Sequence, residues 1–358
     1  MSASTAPAAG AASDVDARAM ATRMHREAGE AAAVVAAQWE ANAATLAALG
    51  ARLRAHPPRA VVTLARGSSD HAATYAKYLI ETRTRVLTAS AAPSISSLYG
   101  VDPELRDCLA IAISQSGRSP DLLAAVAAAK RGGAFVVALC NVADAPLANL
   151  ADCTVPLSAG PELSVAATKS FIASLAALAH LVAAWTADRT LLEQVRALPY
   201  ALTAAWQLDW SAALPVLAPA QHLYAIGRGL GLAIAQEAAL KCKETCGLHA
   251  EAHSGAEVRH GPFALPGRDF PALVLAQDDA ALPGLVALAA ELAGRGVPTL
   301  VAGARAAGAT ELPTVRVPGV LAPIVLAPSL YRLLARLAIA RGHDPDSPPH
   351  LRKVTETL

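Results

Sequence analysis

Glu237, Lys241 and Glu244 stand four and three residues apart in the run Glu237-Ala-Ala-Leu-Lys241-Cys-Lys-Glu244. On a helix of 3.6 residues per turn these spacings put all three on one face. That face carries two carboxylates and an ammonium inside an apolar segment. The set is costly to bury unless its charges pair, and it is suited to acid/base work; a solvated i,i+3 ion pair would use the same spacing. Upstream, Ser114-Gln115-Ser116-Gly117-Arg118-Ser119-Pro120-Asp121 follows an apolar run and opens a helix at Pro120. Serine hydroxyls, close backbone approach at glycine and the free N–H groups of a helix start make an anion pocket. No Walker lysine accompanies it, which fits a sugar phosphate better than a nucleoside triphosphate. A polar strand-to-helix turn with good caps would draw on the same residues. Gly67-Ser68-Ser69 is a second, shorter turn of this kind.

Two other constellations offer less. Gly227-Arg228-Gly229-Leu230-Gly231 lacks the full dinucleotide glycine spacing, and no acidic residue follows at a strand end about twenty residues on. His249, His253 and His260, with Glu251 and Glu257, lack the helical His-Glu-x-x-His pattern of a metal site. No cofactor and no metal are therefore implied.

The chain that must position these residues has 358 residues, 54% hydrophobic and 16% charged, with aromatics at only 4%. It is long enough for two domains, with cores built from Ala, Leu and Val. A net charge of +1 without a Lys/Arg stripe excludes a nucleic-acid footprint. Five cysteines, odd in number and without a Cys-x-x-Cys pair, suggest reduced thiols in a cytoplasmic protein. The longest uncharged run, Ser170 to Ala187, reads as a buried core helix and not as a membrane span.

Residues 1–19 lack a signal-peptide pattern and read as a mobile tail, followed by a helical lead-in over 20–56 that ends at Pro57-Pro58. Strands are expected at Ala60 to Ala65, Arg85 to Ala89, Cys108 to Ser114, Phe135 to Asn141 and Cys153 to Leu157, separated by helices or loops. A second and smaller round follows, with strands at His222 to Ile226, Ala272 to Ala276, Thr299 to Ala302 and Thr314 to Val317, and helices near Ala281 to Gly294 and Val325 to Ala340. This alternation predicts an α/β fold of two doubly wound parallel sheets, over 57–208 and 209–341. The Pro-rich segment 342–358 is expected to lie extended over a surface.

Several motifs, in order, resemble the sugar isomerase (SIS) domain family. They are Ser114 to Asp121, Ala166-Ala-Thr-Lys169-Ser, Glu237-x-x-x-Lys241-x-x-Glu244, His249-Ala-Glu251, His260-Gly-Pro262 and Lys353-Val-Thr. The match is to the tandem pair in the isomerase half of glucosamine-6-phosphate synthases, and covers the chain from about Met20. It is closer still to the SIS-type glucosamine-6-phosphate deaminases, through Ala65-Arg-Gly-Ser-Ser-Asp-His71 and Ala340-Arg-Gly-His-Asp-Pro-Asp346. The resemblance implies that Ser69, Ser114, Gln115, Ser116 and Ser119 hold a phosphate and that Val165 lines the sugar site. It further implies that Glu244 shuttles a proton between C1 and C2, with Lys241 beside it. His260 would assist ring opening from the other subunit of a homodimer, and Lys353 would close over the sugar.

Ala167 stands where the synthases often have Ser, a departure that touches one sugar contact implied by the resemblance and leaves the phosphate cradle in place. About sixty residues precede the first expected strand, too few for the synthases' glutaminase domain, so release of ammonia is the expected direction. The partner is a small sugar phosphate, with neither nucleic acid nor membrane. Other phosphosugar isomerases or amino-sugar deaminases could use the same framework, and so could a non-catalytic sensor. Sensors of this fold that act on DNA carry a helix-turn-helix domain, which residues 20–53 are too short and too alanine-rich to supply.

Overall fold

The computed structural model describes residues 9–353. Ten strands form two sheets: β1 Ala60–Leu64, β2 Thr88–Ser90, β3 Cys108–Ser114, β4 Phe135–Cys140 and β5 Cys153–Pro156, then β6 His222–Gly227, β7 His249–Ser254, β8 Ala272–Leu275, β9 Thr299–Ala302 and β10 Thr310–Leu312. All pairings are parallel, in the orders β2-β1-β3-β4-β5 and β10-β9-β8-β6-β7. Counted along each half, both follow 2-1-3-4-5, the flavodoxin-like winding. The second half is thus a full copy of the first in topology. β3 is buried at every position, as an aliphatic strand covered on both faces must be.

The helix Pro120–Arg131 packs on the outer face of the first sheet and Leu282–Gly294 on the outer face of the second. Between the sheets lie the helices Ala31–Ala55, Ser68–Thr84, Lys169–Thr186, Leu232–Cys246 and Ala322–Ala340, which share one hydrophobic cluster with both. Lys169–Thr186 and Gly319–Ala340 are long and apolar enough to cross a membrane, but 94% and 78% of their apolar 18-residue stretches are buried inside the protein. They are core helices.

Two expectations are corrected, and one strand is added. Residues 1–8 of the expected tail lie outside the described residues, but Ala9–Ala21 is a helix: alanine favours helix, Ala19 is buried, and Asp16 pairs with Arg336 at 2.9 Å. The last strand is Thr310–Leu312, not Thr314 to Val317. Pro313 has no N–H to continue the ladder, and its carbonyl is taken by Trp210 Nε1 at 2.7 Å, so Val315 and Val317 pack on the core as irregular chain. The segment His249–Ser254, read from sequence only for its histidines and carboxylates, is the edge strand β7. It strings these side chains along a sheet edge, and no three metal-type side chains converge among the described residues.

His180 lies inside the Lys169–Thr186 helix, stacked on Trp39 at 4.1 Å, and burial lowers its pKa to about 4. The unfolded chain takes up this proton near the ordinary value of 6.5 while the folded chain resists it, so stability falls as pH drops from about 6.5 towards 4. The loss from this one group should reach roughly 3 kcal/mol. Denaturant titrations across that window should show the loss, and His180→Phe should flatten it; an unchanged slope would refute the assignment.

Candidate active site

At the carboxyl end of β3, Ser114 Oγ accepts the Gly117 N–H at 2.9 Å, and Ser116 Oγ accepts that of Arg118 at 3.3 Å. Each hydroxyl thereby keeps its own hydrogen for another acceptor. Gly117 has φ +64°, and a Cβ there would meet Ala145 Cβ and Cys140 Sγ at 2.6 Å, so only glycine lets the loop close over β4. Ser119 is the N-cap of the Pro120–Arg131 helix but makes no capping bond. Ser119 therefore does not cap the turn, and the serine hydroxyls are left for an anion, although Pro120 has no N–H and the Leu122 N–H is taken by Asp121 Oδ1. Ser68 and Ser69 form the first turn of the Ser68–Thr84 helix, entered through Gly67 at φ +54°.

The facing wall comes from the second half. In the Leu232–Cys246 helix Glu237 is 0% and Lys241 1% exposed, while the Glu244 side chain is 23% exposed. Lys241 Nζ lies 2.8 Å from Glu244 Oε2 and 3.3 Å from Glu237 Oε1, and donates to Ser68 Oγ at 2.9 Å. Glu237 also takes Ser68 Oγ at 3.2 Å, His71 Nδ1 at 2.9 Å and Tyr331 OH at 2.9 Å. Burial alone would push the Glu237 carboxyl up, but the Lys241 charge and the bonds from His71 and Tyr331 hold it down at about 2. Burial would likewise lower the Lys241 ammonium, yet Glu237 and Glu244 hold it above its ordinary value. A solvated ion pair does not describe this set, because the lysine has no solvent to reach.

The third wall is the tail. Lys353 Nζ donates to Glu162 Oε2 at 2.9 Å, and the same fully buried carboxylate accepts from Thr168 N, Ser170 N and Ser170 Oγ at 2.7–3.1 Å. Burial would raise the Glu162 carboxyl, but the Lys353 charge and these bonds hold it below the usual carboxylate range. Glu162 thus occupies the amino end of the Lys169–Thr186 helix and still has a lone pair for the tail. Farther back, Asp346 accepts the Arg23 and Met24 N–H groups at 2.7 and 2.8 Å, and Glu27 of the helix so capped holds the Leu163 and Ser164 N–H groups.

These walls enclose a cavity of about 220 Å³. Its lining brings together Ser69, Ser114, Gln115, Ser116, Ser119, Val165, Lys241, Glu244 and Lys353, all singled out from sequence. His260 is not among them; it is exposed in the short turn Glu257–His260, outside this cavity. Val354 and Thr355, the rest of the terminal motif, lie outside the described residues. Sequence reasoning missed Glu162 and Tyr331, and it gave Arg66, Ser68 and His71 no individual role beyond their place in the Gly67-Ser68-Ser69 turn and the Ala65–His71 motif. Glu162 carries a signal that could have been used: it is an acidic residue just before the Ala166–Ser170 motif in otherwise apolar surroundings.

The SIS domain model matches residues 56–184 and 216–302. The chain belongs to the SIS domain family. The glutamine–fructose-6-phosphate aminotransferase (isomerizing) of Aeropyrum pernix is 34% identical over 309 residues, 80% of this chain and 49% of that protein. The chain thus spans about half the length of such relatives. Among solved structures, a protein of Silicibacter pomeroyi described as a candidate phosphosugar isomerase is 41% identical, with a TM-score of 0.87 over 91% of this chain and 100% of that one. The C-terminal domain of the Francisella tularensis glucosamine-fructose-6-phosphate aminotransferase follows at 25% identity and a TM-score of 0.83, covering 92% and 98%. The glucosamine-6-phosphate deaminase of Thermotoga maritima, 22% identical with a TM-score of 0.74 over 94% and 100%, shares the fold.

Glu162→Gln should release the tail without touching the serine loop. Trypsin should then cut after Arg352 or Lys353 several-fold faster than in the native chain, read by mass spectrometry, and stability should drop by roughly 3 kcal/mol from the broken buried pair. Native cleavage kinetics in the variant would show that this pair does not hold the tail.

Proposed function

We propose that this SIS protein is a phosphosugar isomerase whose substrate is an amino-sugar phosphate, and that it converts glucosamine 6-phosphate and water to fructose 6-phosphate and ammonia. The reading rests above all on one observation. Glu244 borders the cavity of the serine cradle while its inner oxygen is bound to the buried Lys241 ammonium. A phosphate seated on Ser69, Ser114, Gln115, Ser116 and Ser119 would place the other end of a hexose chain towards Glu244.

With the ring opened, Glu244 takes the C2 proton and returns it to C1, while the C1 carbonyl oxygen gains a proton and the C2 amine loses one, which leaves a C1 alcohol and an imine at C2. One carboxylate on one face of the substrate suffices for both transfers. Water adds to the imine carbon, the C–N bond breaks, and ammonia leaves with the ketose. Lys241 fixes the Glu244 rotamer through its 2.8 Å bond, and Lys353 reaches over the open chain from its seat on Glu162. Val165 walls the sugar side. His260 would enter from a second copy in a homodimer and serve ring opening, in keeping with its exposed position away from its own chain's cavity. The preference for deamination rests on the Ala65–His71 and Ala340–Asp346 stretches, which resemble the deaminase pattern. The Silicibacter pomeroyi relative favours a second reading, aldose/ketose isomerisation of another phosphosugar, which ends before the hydrolysis.

Purified protein given glucosamine 6-phosphate, with no glutamine and no added metal, should release ammonia and fructose 6-phosphate in equal amounts. Saturable binding without ammonia would sink the deaminase reading and leave the isomerase one. Glu244→Gln should cut turnover by about a hundredfold or more while largely preserving substrate binding. Ser116→Ala should instead raise KM, since its contact serves ground and transition states alike. Full activity in Glu244→Gln would remove the proton-shuttle role.

A further inference from the structure

Arg66 follows β1 and lines the same cavity as Ser114, Ser116 and Ser119. Its Nε donates to Asp121 Oδ2 at 2.9 Å. Asp121 lies in the first turn of the Pro120–Arg131 helix and is 1% exposed, while the Arg66 side chain is 53% exposed. The other carboxylate oxygen, Oδ1, accepts the Leu122 N–H at 2.8 Å. Among the described residues, the Arg66 guanidinium makes no other hydrogen bond within the chain, so its two Nη groups are uncommitted.

This arrangement has an electrostatic logic. A buried carboxylate two residues past Ser119 would repel a phosphate dianion entering the cradle, unless a cation stood beside it. Asp121 itself does not line the cavity; Arg66, which does, stands between that carboxylate and the cradle. Anchoring through Nε fixes the plane of the guanidinium and leaves the outer edge of its fork for a second anion, a geometry that lysine cannot reproduce.

We propose that Arg66, oriented by Asp121, is the charged contact for the substrate's phosphate dianion, and that it selects phosphate monoesters over neutral sugars at this site. The proposal rests on the phosphosugar reading above, but its test does not depend on the reaction.

Inorganic phosphate is the probe, titrated calorimetrically into the full chain and its variants. Arg66→Gln should weaken phosphate binding by roughly ten- to a hundredfold, the range expected for losing hydrogen bonds to a charged group. Arg66→Lys should recover part of that loss and remain several-fold weaker than the native chain, because it keeps the charge and loses the fork. With glucosamine 6-phosphate, the Gln variant should show a raised KM and a kcat within a few-fold of native. Thermal melts check that each variant is folded; if the Gln variant is not, the comparison of Lys with native decides. Unchanged phosphate affinity in the folded variants, or no phosphate binding by the native chain, would overturn the proposal. Arg66-dependent phosphate binding without turnover of glucosamine 6-phosphate would uphold it and defeat only the deaminase reading.

Discussion

The buried Lys241 ammonium, held between Glu237 and Glu244, is the interaction on which the rest of the site depends. An ammonium at 1% exposure is tolerable only because two carboxylates and the Ser68 hydroxyl surround it. Those partners come from different parts of the chain. Ser68 and His71 belong to the first half, Glu237 and Glu244 to the second, and Tyr331 to the last long helix. The network therefore fixes how the two sheets' helices meet, and it does so directly beneath the cavity. A shift of the Leu232–Cys246 helix by one turn would leave a charge without a partner, so the electrostatic requirement also sets the distance from serine cradle to Glu244. Structure and chemistry share one constraint here.

The tail obeys the same rule at a smaller scale. Lys353, near the end of the described chain, is held by a carboxylate that is itself fixed by three bonds at a helix start. Asp346 and Glu27 link that tail, through the Arg23–Gly29 helix, to the loop that carries Val165. A carboxylate used this way does two jobs: it satisfies backbone donors that would otherwise be buried and unpaired, and it offers one remaining lone pair as a docking point. The lid over the cavity is thus tied to the same loop that forms its side.

Much of this was legible in the sequence. The strand Cys108 to Ser114 was read to the residue, because seven apolar or small residues ending in Ser-Gln-Ser-Gly leave little alternative. The one-face geometry of Glu237, Lys241 and Glu244 followed from helical periodicity alone. What was not legible depended on contacts distant in sequence. Asp16 finds Arg336 across 320 residues, and without that partner an alanine-rich start looks unstructured. β7 is a strand because β6 pairs with it from His222 to Gly227, although His249-Ala-Glu-Ala-His-Ser carries no β-branched residue to announce it. Glu162 and Arg66 are single charges in loops, and their meaning lies in Lys353 and Asp121, which no local pattern connects to them.

The two sheets share one strand order but differ at matching positions. In the first half, Gln115 follows β3 and lines an open cavity. In the second, Gln277 stands just past β8 at the equivalent place and is 1% exposed. Its Nε2 donates to the Arg228 carbonyl at 2.6 Å and to Asp279 Oδ2 at 3.1 Å. It lies so close to Gly231 that a Cβ there would sit 2.3 Å from its oxygen. The turn Gly227–Gly231 is closed on itself as well, since a Cβ at Gly227 would meet the Gly231 carbonyl at 2.1 Å. Between β6 and β8 the second half packs Gln277 against its own Gly227–Gly231 turn, and the cavity of about 380 Å³ that Gln277 borders lies instead on the side of β9. The second half is then free to turn its Leu232–Cys246 helix to the other sheet's pocket. One copy of the fold supplies the cradle, the other supplies the charged helix, and a single site results from the pair.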